Sequence, residues 1–299
     1  VGKTDVSIEL AERLDAEIVG CDSMQVYRHM PILTQQPTVE QRDAVPHHLI
    51  DCIEPTEAFS VGQYRQRALE AIDEIHQRGK TALVVGGTGL YLKALTNGLC
   101  EAPPADLRLR DRLFLVAQEQ GSPTLHARLQ TVDSIAAAKI HPHDTRRLVR
   151  ALEVYELTGQ PLSRLWRWSE PSSSSTVVLG LTRDREELYD RINRRVERMI
   201  REEGVLEEAR QVLRLSLSQT ARQMHGLRYL EAYLEGELTL EHTIQQWQQQ
   251  VRRYARRQFI WFRADSRIRW LALESDEPTK VIVDRILGSL QWTVDSVRP

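Results

Sequence analysis

The sequence predicts an α/β protein in which a parallel sheet, covered by helices on both faces, is interrupted by a wholly helical insertion. Three observations predict it. Strand, glycine-bearing turn and helix recur in that order along the first third of the chain. The run Thr81-Ala82-Leu83-Val84-Val85 is continuously apolar, as in strands buried on both faces. After Pro103-Pro104 the strand pattern stops, and only helical periodicity follows from about 107 to 168.

Taken in order, the chain begins at Val1-Gly2-Lys3-Thr4 and enters a helix from about Asp5 to Leu14, with Val6, Ile8, Leu10 and Leu14 among its apolar positions. A short strand, Ala16–Cys21, ends on Asp22. A helix around 61–78 carries Ala68, Leu69, Ile72 and Ile75 on one face and leads through Gly79 into the strand at 81–85. That strand ends in Gly86-Gly87-Thr88-Gly89-Leu90-Tyr91, which opens another helix. The helical stretch is broken at Gly121-Ser122-Pro123, His141-Pro142 and Gly159-Gln160-Pro161, and Ser172–Ser175 reads as a loop or linker. Val177–Leu181 restores a strand, helices fill 184–263, and a strand-like Ile268–Leu273 precedes a terminal helix. The expected division is a core at 1–106 and 173–299, with the insertion at 107–172. No internal repeat is found.

Composition excludes several classes. With 41% hydrophobic and 27% charged residues over 299, the chain is an ordinary globular sequence. No apolar run approaches the roughly 20 residues that span a bilayer, so no membrane association is expected. Cys21, Cys52 and Cys100 are far apart and form no CxxC pair, which argues against a zinc site or a disulfide framework and for reduced thiols in the cytoplasm. A net charge of −2 rules out a uniformly basic nucleic-acid binder, yet arginines cluster at 146–150 and 252–269, enough to hold a polyanion locally.

Five segments bear chemistry, and each alone also fits a plain structural role. Gly2-Lys3-Thr4 before a helix matches the second half of a phosphate-binding loop, where backbone N–H groups and the helix N-terminus cradle oxyanions. The chain starts inside that loop, so the first strand and first loop glycine are expected to lie upstream. Asp22, in Asp22-Ser23-Met24-Gln25-Val26-Tyr27-Arg28, sits at the carboxyl end of a strand, where ligands of open parallel sheets bind; a helix cap or turn aspartate is the alternative. The Gly86–Tyr91 turn permits close backbone approach, and the Thr88 hydroxyl can donate to an oxyanion; a tight strand-to-helix turn explains it equally. Arg146, Arg147 and Arg150 suit phosphate contacts or a solvated helix face. In Arg252–Arg263 arginines interleave with aromatics that can stack on unpaired bases, although Trp261 and Phe262 are expected to be largely buried. Adjacent His47 and His48 point apart and lack further ligands, and His143 reads as structural, so neither is assigned a metal.

Together the segments resemble the tRNA dimethylallyltransferase (isopentenyltransferase) family of bacterial type. The resemblance runs in order through GKT at 2–4, DSMQVYR at 22–28, PHHLID at 46–51, VGGTGLYLKAL at 85–95, RALEVYELTG at 150–159, RINRRV at 191–196 and RRYARRQFIWFR at 252–263. It implies a P-loop kinase-like core with a helical insertion, acting as a cytoplasmic monomer on the anticodon stem-loop of tRNA. It also implies Mg²⁺-assisted transfer of a dimethylallyl group from its pyrophosphate to an adenosine beside the anticodon. In that reading Asp22 is the general base and Thr88 works near the bridging oxygen. Gly2, Lys3, Thr4 and Arg195 hold the diphosphate, with Thr4 holding Mg²⁺ through the phosphate loop. Asp22, Ser23, Met24, Gln25, Thr88 and Arg110 meet the tRNA, as does the segment Arg146, Arg147, Leu148, Val149 and Arg150. The chain departs from the family pattern at His29, where a glycine is usual, and at Gln35 and Gln36. Further departures are Met224-His225-Gly226-Leu227-Arg228-Tyr229 in place of AIGYKE, and Val251 and Ile260 in place of threonines. A nucleotide kinase, turning over ATP without tRNA, and a non-catalytic RNA-binding module are the competing readings.

Overall fold

The computed structural model describes residues 2–99, 102–165 and 176–295; the Ser172–Ser175 stretch and Cys100 lie outside them. Two units are formed, one from Val1–Leu95 with Ser175–Pro299 and the other from Thr96–Ser174.

In the first unit, strand β1 (Ala16–Cys21) lies between β2 (His47–His48) and β3 (Thr81–Gly86), and both pairings are parallel. Every residue of β1 is buried, and its alternate side chains feed two apolar clusters. Ile18 packs with Ala11, Ala16 and Val45, while Val19 packs with Tyr27, Tyr64, Ala68 and Ile75. The apolar run Thr81–Val85, expected to be buried on both faces, forms β3, which is exposed at Thr81 and half-buried from Ala82 to Gly86; full burial falls instead on β1. Two further strands, β4 (Val178–Thr182) and β5 (Ile268–Ala272), pair in parallel as a separate two-stranded sheet, so the expected sheet is divided in two. Leu179, Leu181 and Leu271 share an apolar cluster with Leu83 of β3, Val6 and Leu10. The two-residue β2 has no apolar run to announce it; its pairing comes from β1.

The helix Lys3–Leu14 precedes β1 and returns along it, turning at Asp15 in a left-handed conformation. Its C-terminus therefore lies at the start of β1 and its N-terminus at the strand's carboxyl end. The long helix Leu240–Arg263 buries Trp247 in the main cluster.

At the opposite end of β1, Glu17 is only 4% exposed. It receives Arg78 Nη2 at 2.7 Å and His48 Nε2 at 2.8 Å. The hydrogen bond from Arg78, and then that from His48, outweigh the cost of burial and hold the Glu17 carboxyl down to about 2.

The second unit contains helices Leu107–Gln120, Ser122–Val132, Ser134–Lys139, Thr145–Thr158 and Leu162–Leu165. Leu109, Leu113, Leu125, Leu129, Leu148 and Leu152 are central to its core. Caps define the ends: Asp133 and Asp144 accept from backbone N–H groups of the helices they open, and Gly159, with φ 68°, closes Thr145–Thr158.

A carboxyl depressed on folding adds stability that is complete above its ordinary value of 4.5 and is lost as pH falls towards about 2. Glu17→Gln should flatten acid unfolding across that window, followed by circular dichroism. An acid limb unchanged by the substitution would remove Glu17 from this role.

Candidate functional site

The strands β1 and β3 end in register, Cys21 opposite Gly86, so the residues that follow meet at one edge. Gly87 N and Thr88 N both donate to Cys21 O, at 3.2 and 3.1 Å. Ser23 N donates to Thr88 Oγ1 at 3.0 Å, and Thr88 Oγ1 donates to Ser23 Oγ at 3.3 Å. Asp22 Oδ1 accepts from Met24 N at 2.9 Å, fixing the carboxylate at the strand end. A Cβ at Gly86 would lie 2.1 Å from Cys21 O, closer than atoms can approach, so this contact admits only glycine.

The helix Leu240–Arg263 covers this edge. Gln258 Nε2 donates to Gly87 O at 2.7 Å, and the Tyr254 hydroxyl lies near Thr88 and Gln258. The Trp261 indole fills the space a Cβ would take at Gly89, yet the residue is 42% exposed, contrary to the expected burial; Phe262 is half-buried. Glycine opposite the ring leaves room for the indole edge without enclosing its faces. His225 packs on Tyr254, ring centroids 4.3 Å apart. Burial raises the Tyr254 phenol to about 12, with Asp22 adding to the rise, so it remains a neutral hydrogen-bonding group.

Lys3 begins the helix whose N-cap, Gly2, has φ 91°. Its side chain is open to solvent, yet desolvation dominates its ammonium and lowers its pKa. Asp22 pulls the lysine back up and Arg195 pushes it further down, which brings all three into one electrostatic neighbourhood. Arg195 is itself lowered, first by desolvation and then by Arg198. Thr4 lies half-buried beside Lys3. Arg183, which no motif singles out, follows β4 and is almost wholly buried: its Nη2 lies 4.0 Å from where a Gly2 Cβ would be. Tyr254 and Gln258 were legible only as members of a segment; their spacing of four is the signal that both face the turn.

Other expected residues carry different work. Gln25 Nε2 donates to Thr34 O and Gln35 O, so that amide shapes a loop, and Met24 is half-buried. Leu148 and Val149, expected to meet the tRNA, are buried in the second unit's core. Arg110 and Arg150 both bind Glu153, a fully buried carboxylate, through Nε at 2.9 Å and Nη1 at 2.6 Å. Burial without partners would be prohibitive for Glu153, so the two arginines are its counter-ions first. Arg147 is exposed, and Arg146 lines a shallow recess with Phe114, His141 and His143. His29, where the family has glycine, holds φ 64°, a left-handed conformation that explains the glycine preference.

A family model described as IPP transferase matches residues 25–265. A tRNA dimethylallyltransferase from Syntrophobacter fumaroxidans is 46% identical over 90% of this chain and 80% of its own length; one from Koribacter versatilis is 45% identical over 90% and 89%. Among solved structures, the tRNA isopentenylpyrophosphate transferase of Bacillus halodurans is 39% identical, covers 98% of this chain and 94% of its own, and superposes with a TM-score of 0.69. A eukaryotic dimethylallyltransferase acting on tRNA superposes at 0.80 with 27% identity, over 100% of this chain and 77% of its own.

Gly86→Ala should lower unfolding free energy by about 1–3 kcal/mol through enforced overlap at Cys21. Gly62→Ala, whose Cβ finds only Ser60 Oγ at 3.8 Å, serves as the tolerated comparison. Equal denaturant midpoints for the two would refute the close-contact account. The depressed Lys3 pKa also makes its charge available below that pKa and lost above it, earlier than at the ordinary 10.5. Titration calorimetry with inorganic diphosphate should therefore show affinity falling through the alkaline range, a fall that Lys3→Met lacks. A parallel pH dependence in both proteins would clear Lys3 of the effect.

Proposed function

Because the chain belongs to the IPP transferase family, we propose that it transfers the dimethylallyl group of dimethylallyl pyrophosphate to the exocyclic amine of the adenosine on the 3′ side of the anticodon in tRNA, releasing pyrophosphate. The observation that carries the reading is the shared strand edge of Asp22, Thr88 and the helix N-terminus bearing Lys3. We read Gly2-Lys3-Thr4 there as the second half of a phosphate loop in a P-loop kinase-like core, with Gly2 supplying the left-handed residue. The two free thiols described, Cys21 and Cys52, accord with a cytoplasmic enzyme, which we read as a monomer.

In the reaction, Asp22 accepts a hydrogen bond from the amine and takes its proton as nitrogen bonds to the allylic carbon. The carbon–oxygen bond breaks, and its electron pair leaves with the diphosphate. General-base assistance of this kind is worth about 10²–10⁴-fold. Charge grows on the leaving oxygens, where fixed donors act most strongly. Thr88 Oγ1, already turned towards Ser23, can donate to the bridging oxygen, while Lys3, Arg195 and the backbone N–H groups of the helix N-terminus meet the outer oxygens. The donor set suits Mg²⁺, which keeps several waters and takes few protein oxygens: Thr4 offers one hydroxyl and the diphosphate offers the rest. Among the described residues no group of three or more His, Cys, Asp or Glu forms a dedicated cage. When bound, the ion neutralises charge on the leaving group.

Nucleotide extrusion costs a few kcal/mol and least in a loop, which favours an anticodon-loop target. Arg146 and Arg147 suit phosphate contacts in the helical unit, with Arg110 and Arg150 fixing the helix that carries them.

Incubating the full chain with unmodified tRNA, dimethylallyl pyrophosphate and Mg²⁺ should yield prenylated adenosine on digestion; its absence would defeat the reading. Asp22→Asn should lower turnover about 10²–10⁴-fold while retaining tRNA binding. Undiminished turnover would reject the base assignment.

A further inference from the structure

His225 has no part in the reaction steps above, yet it stands against the groups that do. Among the described residues, two buried side-chain polar atoms have no hydrogen-bond partner: Tyr64 Oη and His225 Nδ1. The Tyr64 hydroxyl is directed at the Cys21 thiol. His225 Nδ1 has no such neighbour, and buried polar atoms left unpaired are rare enough to require a reason.

The ring is held firmly. It packs at 4.3 Å and 51° on Tyr254, whose hydroxyl lies near Thr88. On one side Met224 is buried in the main cluster. On the other, Gly226 has φ 92°, its N–H donates to Gln250 Oε1 at 2.9 Å, and Trp247 occupies the space of its missing Cβ at 2.2 Å. Burial lowers the imidazole pKa most; Asp22 opposes this and Arg257 adds to it. In the neutral imidazole that burial favours, Nδ1 is a donor when it carries the ring proton.

An adenine presents an amine flanked by two acceptor ring nitrogens, N1 and N7. A carboxylate can only accept from the amine, so reading either ring nitrogen needs a second group that donates. We propose that His225 Nδ1 donates a hydrogen bond to the ring nitrogen beside the amine engaged by Asp22, fixing how the acceptor base sits against Thr88 and Tyr254. This rests on the transferase reading. The family segment has isoleucine at this position, so the contact belongs to chains that carry the histidine.

The test uses anticodon stem-loops bearing adenosine, 1-deazaadenosine or 7-deazaadenosine at the target position, with equilibrium binding and kcat/KM measured for each. The full chain should prefer adenosine to one deaza analogue by about three- to tenfold, the worth of one hydrogen bond. His225→Leu should erase that preference without changing diphosphate affinity, and His225→Asn, whose amide nitrogen lies near the Nδ1 position, should restore it. If the leucine variant folds poorly, His225→Phe makes the same comparison with a ring kept on Tyr254. Equal binding of all three stem-loops, or a preference that survives His225→Leu or His225→Phe, overturns the proposal. Because binding needs no turnover, a lost preference beside intact prenylation sinks only the histidine contact. A retained preference without product sinks only the transfer.

Discussion

The contact between Gly86 and the carbonyl of Cys21 is the constraint on which the site depends. Parallel strands bring their carboxyl ends to one edge, but sequence position alone does not make two loops touch. Here the missing Cβ of Gly86 lets the backbone close to a separation no other residue allows. The amides of Gly87 and Thr88 then share one carbonyl, and Thr88 reaches the backbone beyond Asp22. A carboxylate and a hydroxyl of opposite hydrogen-bonding character are thereby held side by side, with a lysine at a helix end nearby. Nucleophile activation and leaving-group support thus draw on one rigid backbone junction.

Charge is handled by the same logic at three depths. Glu17 is ionised at the far end of β1 because Arg78 and His48 reach it. Glu153 is ionised inside the helical unit because Arg110 and Arg150 reach it, with Asp106 N adding a 2.8 Å bond. Lys3 has no comparable partner and is left partly desolvated, with Asp22 and Arg195 pulling in opposite directions. Glu17 and Glu153 are each met by hydrogen-bonding side chains, whereas Lys3 at the functional edge is desolvated and suited to an anion.

Much of this was legible in the residues. Strand β1 spans Ala16–Cys21, as the short strand ending on Asp22 predicts. Asp22, Thr88 and Lys3 were legible as strand-end and helix-end residues, and the parallel pairing brings them to one edge. What escaped was long-range in origin. The split into two sheets depends on which strands pair, which periodicity does not encode. His47–His48 pairs only because β1 offers an edge. Leu148 and Val149 were swept into a binding segment by their arginine neighbours, although helical spacing turns them to the core. Trp261 was expected inside because aromatic spacing usually means core; it packs against Gly89 and is nonetheless 42% exposed. His225 registered as a family departure, and only its orphaned nitrogen gives it a chemical identity.

The covering of the strand edge by Leu240–Arg263 also sets an order of events during synthesis. Gln258 is separated from Gly87 by 171 positions, and Tyr254 from Thr88 by nearly as many. A nascent chain leaves the ribosome with its glycine turn made and the residues that seal it still untranslated. Until they emerge, Gly87 O and the Thr88 hydroxyl face water, and the apolar cluster lacks Trp247. The strand edge is consequently covered only after the chain has been made past Gln258.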